Sequence, residues 1–325
     1  MIDYMTTWIK TVWFAMIVQL CFAGIGFAQS GSPGAPAAQQ GTGESRRRVP
    51  PRPPASPWFI HSTVSTGFAS NVHFDQEDLD AFGAVVGSGV RYEGDDFTVS
   101  YKIAVHRYTN TTRWNRVSQL IAASVERDLS DKWEFHTEGQ IGFKGTSEDR
   151  DIVDQDLEIS PRLEYQWTPD RRLRLFTVHR LKRYNDAPET NAFKNYIGAE
   201  FRETLQPRRY WEIGGRYETN DEQADRGDYR RWTYWLEHAI PVTGRDTLLV
   251  QVRYRFRRYT ARFVEIDDED YLRMDHRWIP SIGWTRPLGP DFDLRVDYTY
   301  ESNSSNDPDR EYRAHLLWSG IGVRW

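Results

Sequence analysis

The chain has 325 residues, of which 14% are aromatic and 13 are tryptophan. Its mean hydropathy is −0.70, so it is polar on average yet rich in large rings, which favours rings gathered in belts over a helical core. The 42 basic and 47 acidic residues give a net charge of −5. Because the two signs are interleaved along the chain, nothing favours a nucleic-acid partner.

Residues 1–28 are predicted to be a secretory signal peptide. Residues 11–28 form an uncharged apolar run, and Gly26 and Ala28 place small residues at the −3 and −1 positions before Gln29, as a cleavage site requires. The apolar run is longer than usual and the segment before it has little net charge. A retained helical anchor is therefore the alternative.

The single cysteine, Cys21, lies within this segment. Gln19 and Leu20, which precede it, are not the small residues of a lipid-attachment site, so lipidation is not expected. Once the segment is removed, the mature chain has no thiol. This composition suits an oxidising envelope compartment and excludes disulfides and cysteine catalysis.

Residues 29–56 are predicted to be a disordered, Pro/Gly-rich periplasmic tail. They contain almost no large apolar side chain, so folding could not offset the entropy of ordering them. The three consecutive arginines at 46–48 are read as a solvated charge run, with contact to peptidoglycan or anionic headgroups as the alternative.

From residue 57 to residue 325, apolar and polar residues alternate with the period of two that is typical of β-strands. In 157–167, LEISPRLEYQW, one face is apolar along its whole length and the other carries three ionisable groups. Such a strand cannot be buried on both faces without stranding charges. The same alternation recurs in 97–105, 133–144 and 292–301, and about fourteen strands are expected in all.

The predicted connections alternate between short and long. Short polar turns are expected at 93–96, 129–132, 168–171, 206–209, 242–246 and 288–291. Longer polar loops are expected at 109–115, 145–156, 219–230, 260–275 and 303–310. Bacterial outer-membrane barrels have short periplasmic turns and longer extracellular loops.

Two architectures could explain this alternation. A soluble β-sandwich or lipocalin-like barrel would bury the apolar face and expose the charges. However, fourteen strands exceed one sandwich, many strands run to ten residues or more, and aromatic residues gather near the strand ends. These aromatic residues are Trp58, Tyr92, Trp133, Tyr165, Trp167, Trp211, Trp278, Trp284, Trp318 and Trp325. Strands of about 9–11 tilted residues with aromatic belts are typical of bilayer-spanning strands, so we predict an all-β fold, a closed antiparallel transmembrane β-barrel of about 14 strands.

Residues 57–325 resemble Gram-negative outer-membrane β-barrel proteins of the porin-like kind. The resemblance includes the last strand, in which Gly320, Val323 and Trp325 look like the C-terminal signal that the barrel-assembly machinery reads. It implies a location in the bacterial outer membrane, with outer-membrane lipids and lipopolysaccharide as surroundings. Position 318 is tryptophan where the family usually has a polar residue, and the alternation slips near Ser319, so a β-bulge is expected there.

Two prolines depart from the strand pattern. Pro161 and Pro280 fall in the middle of predicted strands, where each removes one backbone donor from the ladder. The sequence offers no reason for either.

The charged face of each strand is predicted to line an aqueous lumen. Fourteen strands about 4.8 Å apart and tilted by about 40° would form a backbone cylinder roughly 28 Å across, with an opening on the order of 10 Å. The predicted pore-lining residues are Arg253, Arg255, Arg257, Arg162, Glu158, Glu164, Arg295, Asp293, Asp297, Glu134, Glu138 and Arg216. Either these charges form cross-strand ion pairs that hold the wall, or the arginines at 253–257 form a selectivity constriction.

These features predict an outer-membrane channel for passive diffusion of ions or small solutes, with no cofactor and no metal. An export or assembly barrel for polysaccharide or surface lipoprotein is one alternative, and an outer-membrane enzyme is another. The histidines, which include His61, His106, His136 and His179, show no metal-ligand spacing and no catalytic motif, so we expect no catalytic residues. Each histidine is expected to be a lumen or rim residue.

Overall fold

The computed structural model describes residues 57–71, 80–110, 115–146, 153–184, 188–225, 227–266 and 268–324. Within these residues fourteen antiparallel strands close into one barrel, in which each strand pairs with its sequence neighbours and the first strand pairs with the last. The predicted fold class is confirmed. The predicted signal peptide with Cys21, the predicted tail and Trp325 lie outside the described residues. Among the described residues, none forms a helix long and apolar enough to cross a membrane.

The strands are long, as the sequence predicts. They are β1 Trp58–Ala69, β2 Ala81–Glu93, β3 Phe97–Tyr108, β4 Arg116–Asp128, β5 Trp133–Thr146, β6 Val153–Thr168 and β7 Arg171–Arg183. The second half of the barrel is β8 Ala192–Gln206, β9 Arg209–Glu222, β10 Tyr229–Pro241, β11 Thr247–Ile266, β12 Glu269–Pro287, β13 Phe292–Ser305 and β14 Tyr312–Arg324. Two short 3₁₀ turns, Pro188–Thr190 and Pro308–Arg310, lie in loops.

The connections alternate as predicted, with one correction. All six short turns lie at one end of the barrel, which we call the short-turn end, and the loops at the opposite, long-loop end are mostly longer. The loop predicted at 260–275 is wrong, because β11 continues to Ile266 and β12 begins at Glu269. The two strands pair as an extended hairpin beyond an irregularity between Arg258 and Phe263. Both faces of this hairpin mix polar residues with apolar ones such as Phe263 and Tyr271, because alternation is required only where one face meets lipid.

The apolar face of each strand is the exposed one. In β6, Leu157 and Ile159 are 52% and 51% exposed, whereas Glu164 on the alternate face is only 9% exposed. The same inversion holds in β11, where Val250 and Val252 are exposed and Gln251 is buried. A soluble barrel would show the opposite arrangement. The exposed apolar face therefore meets lipid, and the protein is a transmembrane β-barrel.

The structure explains how the wall accommodates the two mid-strand prolines. Pro161 pairs with Thr137 of β5, but the β6–β7 ladder omits the pairs of residues 160 and 161. Pro280 likewise pairs with Val252 of β11, while the β12–β13 ladder omits residues 279 and 280. In each case the proline nitrogen, which carries no hydrogen, points toward the strand whose ladder is interrupted. The ladder with the strand on the other side stays complete.

The predicted bulge near Ser319 is wrong. β14 pairs with both β13 and β1 in unbroken register through this region. Trp318 instead faces the interior, where its ring lies over Gly67 and Gly83 and meets the ring of Tyr108 edge-on at 6.4 Å. The alternation of polar and apolar side chains therefore breaks at Trp318, whereas the backbone register does not. The two glycines, one on β1 and one on β2, leave room for a large ring inside the barrel.

Candidate functional site

All twelve predicted pore-lining residues lie on the inner face of the barrel wall. They lie on five strands, and on each strand they alternate with outward-facing residues that are exposed or half-buried. On every one of these strands the outward-facing residues include exposed apolar ones, such as Ile141, Ile213 and Tyr298. The inner set comprises Glu134 and Glu138 on β5, Glu158, Arg162 and Glu164 on β6, Arg216 on β9, Arg253, Arg255 and Arg257 on β11, and Asp293, Arg295 and Asp297 on β13.

Many of the inner charges are paired with one another. Near the short-turn end, a belt of contacts crosses β6 to β11, which we call the short-turn belt. Its contacts are Arg162–Glu164 at 3.4 Å, Arg172–Glu164 at 3.2 Å, Arg174–Glu164 at 2.9 Å, Arg174–Glu200, Arg202–Glu212 at 2.8 Å, Tyr210–Glu237 at 2.8 Å and Gln251–Glu237 at 2.8 Å. Such cross-strand pairs stabilise the wall.

A second belt lies nearer the long loops, and we call it the long-loop belt. At its centre Glu218 of β9 is 0% exposed and accepts hydrogen bonds from the hydroxyl of Tyr229 at 2.6 Å and from Nε of Arg231 at 2.9 Å. Its other contacts are Arg180–Asp156 at 2.6 Å, Lys194–Tyr229 at 3.2 Å, Arg257–Tyr259 at 2.9 Å, Arg273–Asp275 at 3.0 Å, Arg277–Glu301 at 2.7 Å and Tyr312–Glu301.

Three arginines on the inner wall stand apart from these ion pairs. Among the described residues, no carboxylate lies within ion-pairing distance of Arg216, Arg253 or Arg255. Arg253 donates only to the amide oxygen of Gln251, at 2.9 Å, and Arg216 lies over the ring of Tyr196 at 4.9 Å. The buried Nε atoms of Arg216 and Arg255 have no hydrogen-bond partner.

The barrel register brings these three arginines together. Arg216 pairs with Thr233, which pairs with Arg255, so the two arginines stand on the same rung two strands apart, about 10 Å by strand spacing. Arg253 lies one inward position along β11 from Arg255. We call this group the central arginines. Arg257, which the sequence places with them, belongs instead to the long-loop belt, because it bonds to Tyr259 and lies 3.9 Å from Asp275.

The sequence prediction missed the aromatic residues of the inner wall, among them Phe176, Tyr196 and Trp235. Phe176, Tyr196 and Trp235 share the inner face with the charged residues of their strands, and Phe176 and Trp235 have ring centroids 6.5 Å apart. Phe176 lies against Gly198, and Trp235 lies against Gly214. The sequence carried a signal for Phe176 and Trp235, because each ring occupies the polar register of its strand and pairs with a glycine on the next strand.

The described histidines do not form a catalytic group. His106 Nε2 lies 3.4 Å from Ser118 Oγ, beyond the usual reach of a nucleophile and its base. His179 is on the outer face, 2.7 Å from Asn195, so its predicted place in the lumen or at the rim is wrong. Among the described residues, no cluster of three or more His, Cys, Asp or Glu side chains is arranged to hold a metal ion.

Comparison with known proteins finds similar solved structures but no matching family. No family model matches the chain, and no curated protein matches it. Similar solved structures include the outer-membrane protein OmpT of Vibrio cholerae (9% identity, TM-score 0.46, covering 82% of this chain and 97% of that chain). They also include an anion-selective porin from Comamonas acidovorans (9%, 0.47, 82% and 98%) and the outer-membrane channel DcaP of Acinetobacter baumannii (8%, 0.48, 82% and 96%). The chain is a transmembrane β-barrel with the even strand number and the short-turn end that are typical of outer-membrane barrels.

Proposed function

We propose that the protein is an outer-membrane channel for passive diffusion of small solutes, and that its lumen favours anions. One observation carries the proposal. The central arginines Arg216, Arg253 and Arg255 lie on the inner wall without carboxylate partners, while most inner charges around them are paired.

The paired charges and the central arginines have different roles in this proposal. A paired carboxylate and guanidinium largely cancel at a distance, so the two belts hold the wall and contribute little net field. An unpaired guanidinium in a narrow passage attracts anions and repels cations. The central arginines would therefore set the charge preference of the lumen.

The test is ion selectivity in planar lipid bilayers. The wild-type protein should give discrete conductance steps and a reversal potential that shows anion preference in a salt gradient. Replacing Arg255→Gln should move the reversal potential toward cations, because one unpaired positive charge leaves the passage.

Arg172→Gln is the matched control. It also removes one inner arginine, but the partner of Arg172, Glu164, keeps Arg174 at 2.9 Å, so no carboxylate is left bare. This variant should change the reversal potential much less. The absence of conductance steps in the wild-type protein would contradict the channel, and equal shifts in the two variants would contradict a special role for the central arginines.

A further inference from the structure

The outer face of the barrel carries a second set of arginines at the long-loop end. On five strands an exposed arginine faces outward at this end. These are Arg107 on β3, Arg183 on β7, Arg230 on β10, Arg258 on β11 and Arg313 on β14. Among the described strand residues, Asp221 on β9 is the one outward-facing carboxylate at the same level.

The position of these arginines matches the edge of the bilayer. On β11 the outward-facing residues from Leu248 to Phe256 are all apolar or aromatic, and Arg258 is the next outward position. On β3 the band runs from Phe97 to Val105 before Arg107. Each band has the length of about 9–11 residues that a tilted strand needs to cross the hydrocarbon. The arginines therefore stand where the hydrocarbon ends and the headgroups begin.

Arg230 and Arg258 form the most concentrated part of this set. They are direct register partners on β10 and β11, and like charges placed directly opposite destabilise a sheet. Neither arginine makes an ion pair with any described residue, and the flanking register partners are Thr219 and Met274. The structure thus keeps two adjacent cations on the lipid side without an anionic partner among the described residues.

The surface next to these two arginines is aromatic. The ring of Trp232 stacks with that of Phe256 at 5.6 Å, and Phe256 lies 4.8 Å from the ring of His276. A ligand bound beside Arg230 and Arg258 would contact their two guanidinium groups with its polar end and the aromatic rings with its apolar end.

The short-turn end is different. There, the outward-facing Arg171 pairs with Glu203 at 2.6 Å, and Arg286 lies 3.7 Å from Asp246. Among the described outward-facing residues, two arginines that are direct register partners and lack an ion pair therefore occur at the long-loop end alone, where outer-membrane barrels face the outer leaflet.

We propose that Arg230 and Arg258 bind the phosphate groups of lipopolysaccharide in the outer leaflet. Guanidinium groups bind phosphate through paired charge-assisted hydrogen bonds, which would remove the repulsion between the two arginines. A lipid-borne phosphate fits better than a soluble anion, because the site opens onto the lipid-facing wall and its apolar side would contact acyl chains. This inference does not depend on what passes through the lumen.

The experiment measures binding of lipopolysaccharide to the purified, folded barrel in detergent micelles. The wild-type protein is titrated with phosphorylated lipopolysaccharide and with the same lipid after enzymatic dephosphorylation. The phosphorylated form should bind at least about tenfold more tightly, as the loss of charge-assisted contacts implies. The variant with Arg230→Gln and Arg258→Gln should lose that difference.

The matched control is Arg127→Gln with Arg209→Gln. Both residues are exposed on strands β4 and β9 at the short-turn end, so this variant removes the same charge from the outer wall at the other interface. It should bind like the wild-type protein. Equal affinity for the two lipid forms, or equal losses in the two double variants, would overturn the proposal. Competition by inorganic phosphate alone at millimolar concentration would also overturn it, since it would indicate a site for soluble anions.

Conductance measurements separate this inference from the proposed function. The variant with Arg230→Gln and Arg258→Gln should keep the selectivity of the wild-type channel, because both side chains lie outside the lumen. A change in selectivity would contradict the outward placement on which the lipid site rests.

Discussion

Trp235 shows how single residues fit the inner wall. Its indole lies over Gly214, its register partner on β9, and a Cβ atom at position 214 would come within 2.9 Å of three atoms of that ring. The indole N–H also reaches Glu212 at 3.3 Å. An aromatic ring that covers a cross-strand glycine compensates for the glycine's lack of side-chain packing.

This contact predicts a strong coupling between the two positions. Gly214→Ala should lower the free energy of unfolding by about 1–3 kcal/mol, because the added methyl group forces the ring out of place. In a Trp235→Leu background the same change should be neutral or slightly stabilising, since alanine is favoured over glycine in a strand. Urea unfolding of the four proteins of this cycle measures the coupling. Equal effects in both backgrounds would contradict the packing of Trp235 on Gly214.

The sequence predicted the inner residues well and their partners poorly. Alternation alone placed Arg216, Arg253 and Arg255 on the polar face, and the structure agrees. Which arginines have carboxylate partners depends on the register between strands, and alternation does not determine register. Arg257 is an example. Its carboxylate neighbour, Asp275, belongs to β12, and only the pairing of β11 with β12 brings the two residues together.

At the scale of strands, the sequence predicted the alternation of turns and loops but not how the ladder accommodates proline. Pro280 faces lipid in the middle of β12, and its missing N–H falls on the β13 side, opposite Tyr300. The carbonyl group of Tyr300 loses its ladder donor at a depth where lipid offers no replacement. A proline in a sequence marks the loss of a donor, but only the register identifies the neighbour that loses a hydrogen bond.

Restoring this donor should stabilise the barrel. Pro280→Val gives residue 280 an N–H group and a side chain that strands favour, so the free energy of unfolding should rise by about 1 kcal/mol. The measurement is the urea midpoint of the protein refolded into lipid vesicles. Pro241→Val is the control, because Pro241 ends β10 with its pair to Thr247 already formed, and its midpoint should not change. A midpoint for Pro280→Val at or below the wild-type value would contradict this account.

At the scale of the whole molecule, closure depends on the pairing of β1 with β14. The register runs from Ala69↔Leu316 to His61↔Arg324, so the first and last strands leave no open edge in the hydrocarbon. Gly320 pairs with Ser65, and Val323 shares the outer face with Ile321. The predicted assembly signal therefore overlaps the strand that closes the barrel, and its role in targeting stays a prediction.

Deleting Trp325 separates targeting from stability. The deletion removes no described strand pair, because the register ends at Arg324, so a purely thermodynamic role predicts a loss of only about 2 kcal/mol. A targeting role predicts that outer-membrane levels in cells fall sharply while the same protein refolds into detergent nearly as well as the wild type. The shift in gel mobility between unboiled and boiled samples reports folding in both settings.

Trp58→Ala is the control for the deletion. It removes an aromatic ring that is 56% exposed at the short-turn end, so it should lower stability by a similar amount, and it leaves the C-terminus intact. If the assembly machinery reads the C-terminus, this variant should reach the outer membrane while the deletion does not. Equal losses in cells would mean that both residues act through stability alone, and normal levels of the deletion would show that Trp325 is not part of a signal.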